Sequence, residues 1–138
     1  MSAIEYKNNG FQLSLDPLEF EERTSSIAFS ISLSLKAKPH YSLLTQSIEY
    51  KYPHVWVETD ELNRFEKELK EKPKAQLRNM SGCVLFSVYE IKGITQLEIN
   101  PEGEHSSSKE ERIHAKVLLG AGVKQALSLS FSEYPKWW

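Results

Sequence analysis

From Ile27 to Lys36 the chain reads Ile-Ala-Phe-Ser-Ile-Ser-Leu-Ser-Leu-Lys: odd positions are large and apolar, even positions small or polar. A strict period of two describes a β-strand with one face on a core and one on solvent. A polar second face belongs to an antiparallel sheet wetted on one side, because parallel sheets are buried on both. Val123 to Ser132 is read in the same way. Val123, Leu127, Leu129 and Phe131 share one face there, and Lys124, Ser128, Ser130 and Ser132 the other, so a last strand is expected.

Other segments follow the pattern less strictly. Phe11 to Leu15 alternates after Asn8-Asn9-Gly10, a turn signal that predicts a first hairpin. His40 to Tyr52 is rich in β-formers, and Val55-Trp56-Val57 continues it past Pro53. Cys83 to Ile91 is apolar on both faces, as a central covered strand would be. Lys92-Gly93 turns the chain into Ile94–Ile99, Asn100 to Lys109 is a polar loop, and Arg112 to Leu119 is a further strand.

One helix interrupts the strands. Leu62, Phe65 and Leu69 fall at i, i+3 and i+7, and charged residues fill the other faces. Thr59 or Asp60 can cap its start, Lys70 and Lys72 suit its negative end, and Pro73 stops it, giving a helix over about 60–72. The class expected is α+β, mostly antiparallel β: a sandwich-like or strongly curved sheet with one amphipathic helix, in a single domain over 1–138. Leu62, Phe65 and Leu69 are expected in the core with Phe29, Ile31, Leu33, Phe86, Leu129 and Phe131.

Composition bounds the function. The 138 residues suffice for one domain, and 11% aromatics are too many for a disordered chain. Seventeen basic against nineteen acidic residues leave a net charge of -2. That excludes nucleic-acid binding by bulk electrostatics and also an acidic mimic of nucleic acid. A lone cysteine, Cys83, fits a reducing compartment, and no apolar stretch approaches the ~20 residues of a membrane span. No secretory signal is read at Met1 to Lys7, and a cytoplasmic location is expected.

Sequence motifs point away from catalysis. Val117 to Gly122 begins like a dinucleotide fingerprint, but Gln125 stands where the third glycine belongs; a hairpin turn is expected instead. Glu111-Arg112-Ile113-His114 has metal-ligand spacing, yet on a strand the two ends face opposite ways. Cys83 is read as a small core hydrophobe. No cofactor and no metal is expected. Tyr41, Tyr50, Tyr52 and Trp56 raise a sugar-binding platform, ranked third. The chain ends on Tyr-Pro-Lys-Trp137-Trp138, two large rings that must fold back or meet a partner.

The strand Val55-Trp56-Val57, then Thr59-Asp60, then a helix spaced Leu62-x-x-Phe65-x-x-x-Leu69, resembles a group of small bacterial proteins. That group includes immunity proteins of the WapI type, which neutralise contact-dependent toxins. The likeness covers about fifteen residues and implies antiparallel sheets carrying a central helix and a protein-binding role. It implies no functional residue.

The function expected is therefore a non-enzymatic protein-binding domain, read as an immunity protein neutralising a bacterial toxin. Its partner is another protein or a second copy, not a nucleic acid, a membrane or a small molecule. Glu61, Glu68 and Glu71 on the helix and Trp137 and Trp138 on the tail are the candidate contacts. Two alternatives are a small enzyme built from distant residues such as His54, Glu58 and His114, and an oligomerising domain using the tail.

Overall fold

The computed structural model describes residues 2–8, 10–37, 45–101 and 112–138. His40, Tyr41, His105 and most of the polar loop expected at 100–109 lie outside them. The elements run β1 (Ile4–Lys7), β2 (Phe11–Glu21), β3 (Ser26–Ala37), β4 (Gln46–Glu58), α1 (Thr59–Glu71), β5 (Lys74–Arg78), β6 (Val84–Ile91), β7 (Ile94–Ile99), β8 (Ala115–Ala121) and α2 (Val123–Glu133). The strands form two four-stranded antiparallel sheets, each in chain order, β1–β4 and β5–β8. The class is α+β, as the alternation predicts.

In the first sheet the register explains the alternation. Leu13 pairs with Leu33, and Leu33 with Tyr50; Leu15 pairs with Ile31, and Ile31 with Tyr52. Each row puts apolar side chains on one face, while Ser14, Ser32 and Lys51 form a polar row on the other. The Asn8 carboxamide oxygen accepts from the Gly10 and Phe11 amides and tightens the first hairpin. A Cβ at Gly10 would stand 2.8 Å from the Lys36 carbonyl oxygen, so only glycine fits beneath β3 there. Pro53 sits where β4 bulges between its pairings to Phe29 and Ile31, on an edge strand, a place that tolerates a missing N–H.

The second sheet is centred on β6, whose Val84 to Val88 are all buried. Lys92 (φ 52°) and Gly93 (φ 80°) are both left-handed and close the β6–β7 hairpin, matching its twist.

α1 buries the expected stripe: Leu62, Phe65 and Leu69 lie in one hydrophobic cluster with residues of both sheets and α2. The Phe65 ring stands edge-on to Phe86 at 5.6 Å and to Phe131 at 5.3 Å between centroids. Its N-cap is Glu58 rather than Thr59 or Asp60, and no side chain caps it from within. Thr59 is instead held by the β2–β3 turn. Its amide donates to the Ser25 carbonyl, and the two hydroxyls share a hydrogen bond of 2.8 Å.

The main departure from expectation is Val123–Glu133, which is a helix and not a strand. Val123, Leu127 and Phe131 are buried, at i, i+4 and i+8, while Leu129 is 59% exposed instead of joining the core. Positions four apart satisfy both a strand face and a helix stripe. Gln125, polar at an odd position, breaks the strand pattern and fits the helix. Gly120-Ala121-Gly122 therefore leads from β8 into α2 and makes no hairpin, with Gly122 left-handed (φ 76°) at the N-cap. Thr95 of β7 supplies the cap from outside, its hydroxyl accepting from the Lys124 amide at 2.9 Å.

Lys124 itself is buried, and its ammonium donates to the Leu69 carbonyl at 2.7 Å, at the negative end of α1. Burial lowers its pKa below the ordinary 10.5, opposed by the Glu90 carboxylate. A folded value below the unfolded one means that the unfolded chain holds more protons in the interval between them. The penalty for burying the charge is thus full below that interval and fades as pH rises through it toward 10.5. Urea titrations should show wild type gaining stability relative to Lys124→Met across that rise; parallel curves would contradict it.

Candidate functional site

Five side chains stand out from the sequence as contacts, and the fold treats them differently. Glu61 and Glu68 are turned along α1 toward β5. The Glu61 carboxylate holds the Arg64 guanidinium through both oxygens, and Arg64 also reaches Glu68 at 3.3 Å. That hydrogen bond to Glu61 raises the Arg64 pKa above its ordinary value. Both carboxylates also accept backbone amides of β5, Arg78 N–H to Glu61 at 3.0 Å and Gln76 N–H to Glu68 at 3.1 Å. Glu71, the last residue of α1, is exposed.

The tail folds back on the body of the protein. Trp137 and Trp138 are half-buried against the core cluster. Trp137 meets Phe20 edge-on at 5.7 Å and Trp138 at 5.6 Å, and Trp138 stacks on Tyr134 at 6.0 Å. Polar contacts fix the arrangement. The Trp137 indole N–H donates to the Tyr134 hydroxyl at 2.8 Å, and that hydroxyl donates to the Ser2 carbonyl. Lys136 pairs with Glu66 of α1 at 2.9 Å and also reaches the Phe131 carbonyl at the end of α2. The tail thus clasps α1, α2, β2 and the start of the chain, and leaves four aromatic rings in one patch. Phe20, missed in the sequence, keeps 43% of its surface exposed. Its signal is an aromatic residue at the end of β2 beside acidic neighbours, which alone says nothing of a tail 117 positions later being its cover.

The alternative constellations are not assembled. His54 of β4 pairs with Glu19 of β2 at 3.1 Å, and His114 pairs with Glu98 of β7 at 2.9 Å, in the other sheet. Glu58 is exposed at the N-cap of α1. The aromatic platform is divided too. Tyr50 and Tyr52 pack edge to face within the core rim, and the Tyr52 hydroxyl donates to the Leu85 carbonyl of the second sheet. Burial raises the Tyr52 pKa well above the ordinary tyrosine value. Trp56, past the β4 bulge, stands against His54 instead; Tyr41 lies outside the described residues. Cys83 is half-buried at the end of the β5–β6 turn, whose backbone is pinned by the Asn79 carboxamide.

An open groove of about 490 Å³ runs along the end of the first sheet between Lys7, Gln12, Lys36 and Glu49. A second, of about 380 Å³, lies beside it over Ser14, Ser32 and Lys51. Both are the wetted face that the serine alternation predicts. Among the described residues no group of three or more His, Cys, Asp or Glu could hold a metal ion, and no helix is long and apolar enough to cross a membrane. No protein-family model, no curated protein and no solved structure matches the chain.

Proposed function

We propose that this chain is a protein-binding domain without catalytic activity, and that it acts as an immunity protein against a bacterial toxin in the cytoplasm. The observation that carries the binding role is the aromatic patch of Phe20, Tyr134, Trp137 and Trp138. Its rings are half-exposed yet held in place by the Tyr134, Trp137 and Lys136 hydrogen bonds. Fixed, partly exposed tryptophan and tyrosine rings suit a binding hot spot, because little side-chain entropy is lost when a partner covers them. Glu71 and Glu133, both exposed, provide charge near the two helix ends. The toxin-neutralising part of the reading is supported by the likeness of Val55 to Leu69 to WapI-type immunity proteins. Glu61 and Glu68 are engaged within the fold by Arg64 and the β5 amides.

The test is capture from a native bacterial lysate on immobilised full-length chain, identification of the retained protein, and titration of that purified protein. Trp138→Ala should weaken its binding by about thirtyfold or more, the size of a hot-spot truncation, while the thermal transition stays close to wild type. Binding unchanged by Trp138→Ala, or no macromolecule held at micromolar concentration, would overturn the reading. A second copy as the partner would appear as a concentration-dependent mass in light scattering that Trp138→Ala abolishes.

A further inference from the structure

The second sheet stops at β5, and side chains rather than another strand close that edge. Among the described residues β5 pairs only with β6, so alternate backbone groups of β5 point away from the sheet. Two of these donors, the amides of Gln76 and Arg78, are taken by carboxylate oxygens of Glu68 and Glu61. Glu61 and Glu68 are two turns apart on α1, a rise of about 10.5 Å. Gln76 and Arg78 are one pleat repeat apart on β5, about 6.8 Å. The two carboxylates must therefore lean toward each other to meet both amides. Arg64 stands between them on the helix and bonds both, drawing them together. Helix and strand run in opposite directions, so the more distant Glu61 meets the later Arg78 and the nearer Glu68 the earlier Gln76.

A row of free backbone donors at a sheet edge is a template for strand addition by another chain. β5, with α1 packed alongside it, keeps the two faces of a strand: Ala75 and Leu77 are buried on its inner face, and Gln76 lies half-exposed on the other. A second copy brings matching extended segments, since β8 also ends its sheet. We propose that Glu61 and Glu68, aligned by Arg64, are an edge guard: they occupy the β5 amides through which a second copy would extend the sheet, and so keep the chain from associating strand to strand. The guard is independent of the aromatic patch and of the partner it binds.

The experiment reads both halves of the claim on the full chain. In amide hydrogen exchange, Glu68→Ala should speed exchange at Gln76 by about tenfold or more and leave Arg78 within about twofold; Glu61→Ala should do the reverse. In sedimentation velocity, the double variant E61A/E68A should form heavier species at concentrations where wild type keeps its mass. E61Q/E68Q, which retains a carbonyl acceptor at each position, should keep the wild-type mass. Uniform acceleration of exchange across the sheet, or a double alanine variant that stays at the wild-type mass, would overturn the proposal. Should E61A/E68A fail to fold, the single variants decide it, since each leaves one carboxylate in place.

Discussion

Replacing Phe65 by alanine should cost about 3–5 kcal/mol, the upper range for removing a fully buried aromatic ring. Phe65 is completely buried, and its ring is the one that α1 presents to both the second sheet, through Phe86, and α2, through Phe131. Edge-to-face pairs add about 0.5–1.5 kcal/mol each beyond the area they bury, so two are lost with one side chain. The flanking residues sit on α1, β6 and α2, three separately anchored elements, and cannot all close on the cavity. Urea denaturation should show a lower midpoint, corresponding to that loss, with an unchanged slope. A loss below about 1 kcal/mol would mean that the site collapses or that the ring is not central.

Much of the architecture is legible before folding. The alternation from Ile27 to Leu35 specifies β3 and its inward face, and the spacing of Leu62, Phe65 and Leu69 specifies the stripe of α1. Both are local patterns reporting local geometry. What is not legible depends on partners distant in sequence. Glu61 and Glu68 look like a solvated charged face because nothing in α1 reveals that β5 folds alongside and presents two amides to them. The N-terminus of α1 is fastened by Ser25, thirty-four residues earlier, which no capping rule for adjacent residues can find. Phe20 becomes part of a surface patch only because Trp137 returns across the protein to meet it. His54 and His114 show the opposite error: two scattered histidines suggest assembly, and the two sheets hold them with separate carboxylates.

The segment after Gly122 is the most instructive case, because the same apolar residues satisfy two periodicities. Val123, Leu127 and Phe131 are inward in either reading, so burial of those three does not discriminate. Leu129 does: a strand turns it inward with them, whereas the helix places it on the far side, where it is exposed. The account as a whole rests on α2 being that helix, because it supplies Phe131 to the ring pair with α1, brings Lys124 beneath the end of α1 and sets the aromatic tail on its patch. The decisive measurement is therefore a matched pair of unfolding curves. Leu127→Ala should cost about 2–5 kcal/mol as a core cavity, and Leu129→Ala should stay within about 0.5 kcal/mol of wild type as a surface change. Equal, large losses at both positions would place residues 123–133 in a strand and contradict the account.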